Sequence, residues 1–320
     1  MAGITVQQAA RSFGEVHAVR RASFEVAPGT VAGLIGPNGA GKTTLLLMLA
    51  TLLAPDTGTI RVAGYDPVTE PHQVRRRMGW MPDVLGSWPT LSVRTALATS
   101  GRMYGMGVDE ASRRAQQLID LVDLAPLAEQ PTRVLSRGQK QRLSLARALV
   151  HDPEVLLLDE PASGLDPGAR TQLRELVRRL AGEGKTILVS SHVLAELEEM
   201  ADTAVYLAAG TTAAPEEVAR AGRTARSWRI RSLDAERLAA ALAAAGFGEV
   251  AVADRAGTVV PLASEEDAAQ LVAHLVGSGV PISSFAPAVG DLEHVFHDLN
   301  REARAPDGDE HDPGREGGGA

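Results

Sequence analysis

Residues 33–50 read "GLIGPNGAGKTTLLLMLA". An apolar segment enters a glycine-rich turn, and a leucine-rich segment leaves it. The turn "GPNGAGKT", Gly36 to Thr43, has the spacing G-x-x-x-x-G-K-[ST]. Glycines let the backbone curl until several N–H groups face one anion, and the start of the following helix adds positive partial charge. Gly36, Pro37, Asn38, Gly39, Ala40, Gly41, Lys42, Thr43 and Thr44 are therefore a candidate triphosphate cradle. Lys42 is expected to reach the β- and γ-phosphates and Thr43 to hold Mg²⁺. Only three of the 32 basic residues are lysine: Lys42, Lys140 and Lys185. A chain so biased toward arginine still places lysine here, where a compact ammonium suits the nest better than a planar fork.

Outward from the cradle the chain alternates. "FEVAPGTVAGLIG" predicts two strands around a Pro-Gly turn, and "GKTTLLLMLATLLA" a helix ended by Pro55. "GTIRVAGYD" is strand-like. Residues 91–150 are mostly helical, with apolar spacing at Leu118, Leu121 and Val122. "EVLLLDEP" is a continuous apolar run ending in acids, as a buried parallel strand requires. "DPGARTQLRELVRRLAGEGK" has Asp166 as a cap, Pro167 in the first turn and glycines at its exit. "KTILVSSH" is the next strand. The pattern implies an α/β fold with a mostly parallel sheet covered on both faces.

Near residue 222 the texture changes. Strand 227–232, helix 234–245, strands 248–254 and 257–263, helix 264–277 and strand 281–288 give the order β-α-β-β-α-β, a small α+β ferredoxin-like unit. A last helix follows in "DLEHVFHDLNREA". The expected division is residues 1–222, containing a helical subdomain at about 91–150, then an accessory unit at 223–303. An acidic tail at 304–320, rich in Gly and Pro, is expected to be disordered.

The 320 residues carry a net charge of −8, which disfavours non-specific binding to nucleic acid. There are no cysteines, so disulfides and thiolate metal sites are excluded. The first residues lack an apolar signal region. The run "LLLMLATLLA" is too short to cross a bilayer, so a membrane role needs another chain.

Asp159 and Glu160 end the apolar strand. In open α/β sheets ligands bind at such ends. Asp159 is then a Mg²⁺ partner and Glu160 the general base for an attacking water. Adjacent strand residues point oppositely, so both can serve only where the chain is already turning. His192 ends a strand expected on the same edge, within reach of a γ-phosphate. "LSRGQKQRLSLARAL" opens a helix with Ser136, Gly138 and Gln139 at its tip, a second anion-binding terminus.

With these four segments in view, residues 4–215 resemble the ATP-binding subunits of ABC transporters. The resemblance implies that residues 36–44 are the Walker A loop and that Asp159 and Glu160 are the Walker B pair. It implies that Ser136, Gly138 and Gln139 belong to the signature, that Asp166 lies in the D-loop, and that His192 is the switch histidine. Phe13, in "ARSFGEVHAV", matches the aromatic that stacks on adenine. The family further implies a P-loop NTPase that hydrolyses ATP with Mg²⁺. Two copies would sandwich the nucleotide and drive a separate transmembrane permease through residues 83–104, placing the chain in the cytoplasm on the inner face of the plasma membrane. "DLEHVFHDL" is similar to the tail of drug- and lipid-exporting members of the polyketide-resistance type.

Two positions depart from the family. Arg137 replaces the second signature glycine, which matters little if its side chain points away from ATP. Asp83, in "GWMPDVLGSWPT", replaces the usual glutamine. Beside a bare phosphate a carboxylate is repelled by about 4 kcal/mol per charge pair at 4 Å and effective dielectric near 20. A hard dication reverses that sign, so Asp83 is tolerable as an inner- or outer-shell metal ligand but not as a direct phosphate contact; the alternative is that it merely caps the loop. The alternative function is a soluble ABC ATPase acting on ribosome or DNA. Ribosome-acting members usually carry two cassettes, and here only one lysine lies in a glycine-rich loop. A GTP switch needs an Asn-Lys-x-Asp guanine reader, which none of the three lysines provides.

Overall fold

A computed structural model of the protein describes residues 3–86 and 88–302. The acidic tail expected at 304–320 lies outside the described residues.

The chain opens with a hairpin of β1 (Ile4–Phe13) and β2 (Val16–Val26), followed by β3 (Val31–Ile35), α1 (Lys42–Leu49), β4 (Thr57–Val62), α2 (Pro71–Arg77) and β5 (Met78–Met81). Three helices come next: α3 (Val93–Met103), α4 (Val108–Leu121) and α5 (Arg137–Ala148). The chain then returns to the sheet through β6 (Val155–Asp159), α6 (Pro167–Gly182), β7 (Thr186–Ser190), α7 (Leu194–Met200), β8 (Thr203–Ala208), β9 (Thr211–Thr212) and α8 (Pro215–Ala221). These strands form one sheet in the order β4-β1-β2-β9-β8-β3-β7-β6-β5. The block β8-β3-β7-β6-β5 is parallel, whereas β1 pairs antiparallel with β2 and β4.

The sequence explains this division. Every residue of β3, β6 and β7 is buried, which fits their unbroken apolar runs and their place at the centre of a covered sheet. In β1 buried and open positions mix, as in a strand covered on one face. Among the described residues no helix is long and apolar enough to cross a membrane.

Helix α1 ends at Leu49, six residues before Pro55 where the leucine run suggests it should stop. Thr51 adopts a left-handed φ of 63° and turns the chain there. That conformation is unfavourable for a β-branched residue. The Arg75 Nε–H donates to its hydroxyl at 2.8 Å and ties it in place. Nothing in an apolar run announces such a tertiary stop.

Helices α4 and α5 are joined at a terminus. Arg114 donates to the carbonyls of Leu149 and Val150, which follow the last turn of α5. Beside them His151 stacks on Tyr104 with ring centroids 3.8 Å apart. Its Nε2–H donates to the Met78 carbonyl at 3.2 Å, and its Nδ1 is buried without a partner. Protonating Nδ1 would bury an unsatisfied cation, and burial lowers this pKa to about 4. A histidine whose folded pKa lies below its unfolded value contributes stability above the unfolded pKa, lost as pH falls through the folded one. Stability should therefore drop by about 2 kcal/mol between about pH 6.5 and 4 on account of His151. His151→Phe should flatten that part of the urea-denaturation profile, and an unchanged slope would reject the assignment.

The second sheet has the order β11-β12-β10-β13, from β10 (Arg226–Ser232), β11 (Val252–Asp254), β12 (Gly257–Leu262) and β13 (Ile282–Pro287). All its pairings are antiparallel. With α9 (Ala235–Ala244) and α10 (Glu265–Gly277) between the strands, this is the ferredoxin-like arrangement. Ile230, Leu238, Leu242, Val260 and Leu275 form its core. Asp234 and Ser264 cap the two helices by accepting from Arg237 and Asp267 N–H. β11 starts at Val252, four residues later than the sequence suggests. The last helix, α11 (Asp291–Glu302), departs from the expected accessory unit. It packs on α7 and α8, and Val295 joins the large cassette core with Leu292, Phe296 and Leu299 against it.

Candidate functional site: a phosphate cradle and its catalytic edge

The cradle follows β3 and ends in α1. Gly41 precedes the helix in a left-handed conformation, φ 103°. A Cβ at Gly41 would overlap the Ala18 carbonyl of β2, and one at Gly36 would overlap the Leu207 carbonyl of β8. Neighbouring strands therefore press on the loop from two sides, and only glycine fits at both positions. The Lys42 ammonium arches back over the loop and donates to the carbonyls of Gly36 at 2.6 Å and Pro37 at 3.2 Å. Burial lowers its pKa, and the charges of Glu160 and Asp159 oppose that effect. Both carboxylates thus lie within its electrostatic reach.

Asp159 is the last residue of β6 and is only 5% exposed. It accepts a hydrogen bond from the Ser190 hydroxyl on β7. Glu160 adopts φ 51°, a left-handed value rare for a non-glycine residue. That single dihedral resolves the orientation problem at the strand's end, because the chain turns between the two acids. The turn is held from several directions. Glu160 N–H donates to the Ser190 carbonyl at 3.1 Å, and the Gln141 amide of α5 donates to the Glu160 carbonyl at 2.7 Å. His192 Nδ1–H donates to Glu160 Oε2 at 2.7 Å. Burial raises the Glu160 pKa, and His192 partly offsets this.

The loop after β5 reaches the same edge. Burial raises the Asp159 pKa, Ser190 opposes that, and the charge of Asp83 raises it further. Among the described residues no group of three or more His, Asp or Glu side chains is arranged to hold a metal. The acids on this edge are Asp159 and Asp83, close enough for the charge of one to act on the other, and Thr43 is the second residue of α1. Two adjacent carboxylates, one of them buried, fit a hard dication, which would relieve their repulsion. The loop itself is gripped by Arg147 at the end of α5. This guanidinium donates to the Gly86 carbonyl and lies 5.0 Å from the centre of the Trp88 ring. Sequence reading singled out none of Ser190, Gln141 or Arg147. The first two hold backbone or a carboxylate through short polar side chains, and no motif marks them.

A second cluster surrounds the tip of α5. Ser136 caps it reciprocally: its hydroxyl accepts from Gln139 N–H, and its own N–H donates to Gln139 Oε1 at 2.8 Å. Arg137 runs over Gly164 and donates to the Ser163 hydroxyl at 2.7 Å. A Cβ at Gly138 would meet the Gly164 carbonyl at 3.3 Å. The arginine in the signature position thus ties α5 to the 163–165 loop of the same chain. That loop leads to Asp166, which caps α6 by accepting from Ala169 N–H at 3.0 Å. Phe13 stands apart at the end of β1, 48% exposed, with Arg11 5.0 Å from its ring centre. A cavity of about 390 Å³ lies among α4, α5 and α6 and is lined by none of the cradle residues.

A glycine-wrapped lysine loop, two acids at the neighbouring strand end and a serine-capped helix braced to the following loop define an ATP-binding cassette of the P-loop class. The chain belongs to the ABC transporter ATP-binding family. The family described as "ABC transporter" matches residues 19–163. The chain is 36% identical over 212 residues to the ABC transporter ATP-binding protein NatA of Bacillus subtilis, across 65% of this chain and 86% of that one. It is 42% identical over 207 residues to the daunorubicin resistance ATP-binding protein DrrA3 of Streptomyces coeruleorubidus, across 65% of this chain. It is 44% identical over 200 residues to a Nod factor export ATP-binding protein I of Paraburkholderia xenovorans. The match spans 66% of the length of each of the last two relatives. A solved ATP-binding subunit of an ABC transporter superposes with TM-score 0.62 at 28% identity, covering 68% of this chain and 92% of that one. A dimeric ATP-binding cassette in a post-hydrolysis state bound to ADP and Pi, 23% identical, has TM-score 0.61 and covers 66% of this chain and 97% of its own, which speaks for the fold.

Proposed function

We propose that this chain is the ATP-hydrolysing subunit of an exporter-type transporter, acting on a separate membrane permease. One observation carries the reading: the Glu160 carboxylate, turned out of the strand by a left-handed backbone, lies 2.7 Å from His192 beside Lys42. Lys42 binds the β- and γ-phosphates. Glu160 accepts a proton from water as its oxygen bonds the γ-phosphorus and the bond to the bridging oxygen breaks. His192 orients Glu160 and reaches toward the γ-phosphate. Thr43, Asp159 and Asp83 would hold Mg²⁺, which would offset the negative charge of the triphosphate. Phe13, exposed at its strand end, stacks on adenine.

Ser136, Gly138 and Gln139 serve the nucleotide on a second copy, so closure of a homodimer completes each site. The exposed apolar residues Val84, Met103, Tyr104 and Val108 on the Asp83 loop and the helical subdomain form the permease face. This arrangement would hold the chain at the inner face of the plasma membrane. The relatives named for daunorubicin resistance and Nod factor export support the exporter class.

ATPase assays of the purified chain with and without its co-expressed permease test this reading. The reading expects Mg²⁺-dependent hydrolysis and co-purification from membranes. A chain that neither hydrolyses ATP nor fractionates with membranes would end it. Asp83→Gln should alter the Mg²⁺ concentration needed for half-maximal turnover by about tenfold while turnover at saturating metal falls by less, the scale of one metal-ligand change. An unchanged metal titration would leave Asp83 as a loop residue.

A further inference from the structure

The helix that follows His192 is unusually well held. One residue, Val193, separates His192 from α7, whose sequence is LAELEEM. Leu197 is fully buried, and a Cβ at Gly33 of β3 would meet its Cδ1 at 3.3 Å. The helix therefore lies close against the strand that feeds the cradle and shifts as one body with it. Each of its glutamates has a different partner. Glu196 pairs with Arg170 of α6 at 3.3 Å and accepts from Ser191, and Glu199 pairs with Arg174 of α6.

Glu198 reaches a different element. Its Oε1 accepts the Leu292 N–H of α11 at 2.9 Å, and a Cβ at Gly290 would overlap its carboxylate. Gly290 accepts from His294 N–H to close the first turn of α11. The carboxylate thus seats in the corner where α11 begins, satisfying a free helix donor and meeting the positive end of the helix dipole. The same corner is tied to the small sheet. Arg226, the first residue of β10, pairs with Asp291 and donates to the Val289 carbonyl at 2.8 Å. Leu292, Phe296 and Leu299 pack α11 against the large core.

We propose that Glu198 is a positioning residue. By seating α11 on α7 it fixes the helix that follows His192, and through that short link the place of His192 against Glu160, so the C-terminal unit sets the turnover of the ATP site. This rests on the reading of Glu160 and His192 as the hydrolytic pair. The C-terminal unit is then a control element on the cassette, acting through one carboxylate on the switch side of the site. No second nucleotide site is needed, because the signal runs through contacts within α7.

The test is steady-state ATP hydrolysis by the full-length chain and four variants, with hydrogen exchange over residues 291–302 as the readout of docking. Glu198→Ala should lower kcat by about tenfold, the scale of a slightly misplaced catalytic group, with KM for ATP unchanged within about twofold. Glu198→Gln keeps an acceptor oxygen and should stay within about threefold of the parent. Phe296→Ala loosens α11 through packing and should lower kcat similarly, with faster exchange in α11. The double variant should be no worse than the poorer single one, because both changes open one joint. Parent-like kcat in Glu198→Ala with faster α11 exchange would overturn the proposal, as would losses that multiply. Glu160→Gln runs alongside: if it retains full turnover, the hydrolytic reading itself falls and takes this inference with it. If it loses turnover while Glu198→Ala does not, only the inference falls.

Discussion

Glu160→Gln is expected to lower ATP turnover by about 10²–10⁴, the contribution of a positioned general base. ATP affinity should change little, because the side chain meets the attacking water and not the triphosphate. Gln is close in shape and keeps an oxygen that can accept from His192, which now sits 2.7 Å away. Burial raises the Glu160 pKa, so in the parent the base form is reached at higher pH than for an ordinary carboxylate. The acidic limb of the parent's turnover profile should therefore lie above the usual carboxylate range and vanish in the variant. The same shift fixes the sign for stability. An acid whose folded pKa is raised stabilises the fold fully below its unfolded pKa, and that contribution is lost as pH rises through the folded one. At neutral pH the parent carries the cost of a buried charge and the neutral amide does not. The variant should be at least as resistant to urea as the parent, so lost turnover cannot be assigned to unfolding. Single-turnover hydrolysis and fluorescent-ATP titration across pH measure the first three, and urea denaturation the fourth. Full turnover in a stable variant would remove Glu160 from the role of base.

Much of this site was legible because its chemistry is local in sequence. Gly36 to Thr44 must be contiguous to wrap one anion, and the wrapping demands glycine where β2 and β8 press in. The Asp166 cap and Pro167 likewise sit next to the helix they start. Asp159 and Glu160 could be named from the strand they end, but how two neighbours face one way could not. The answer is a left-handed residue that no propensity favours at a glutamate. Contacts across long sequence separations were the ones missed. Gln141 reaches Glu160 from the signature helix, and Arg147 at its other end grips the Asp83 loop. Both look like ordinary polar positions of an amphipathic helix. Docking of α11 on α7 was hidden for the same reason, since a stripe of Leu292, Val295, Phe296 and Leu299 says that a face is buried but not against what.

Gly41→Ala should disable the cradle. Gly41 holds φ 103°, and a Cβ there would overlap the Ala18 carbonyl of β2. Gly39 supplies the control. Its φ is 82°, also left-handed, yet a Cβ there meets nothing within 4 Å. Alanine at Gly39 therefore costs only the backbone penalty, about 1–2 kcal/mol. Alanine at Gly41 adds forced displacement of a strand carbonyl on one side or of the Lys42 N-terminus on the other, about 1–3 kcal/mol more. Urea denaturation should rank the two in that order. The functional loss at Gly41 should be larger than its stability cost suggests, because the same residue starts the helix whose first residue is Lys42. Moving it shifts both the N–H groups and the ammonium that converge on the phosphates, and ATP affinity should fall by about tenfold to a hundredfold. Equal stability costs at the two glycines would mean that β2 yields easily and the close approach is not what selects glycine. Unchanged ATP affinity in Gly41→Ala would mean that this loop is not the phosphate cradle, whatever its motif.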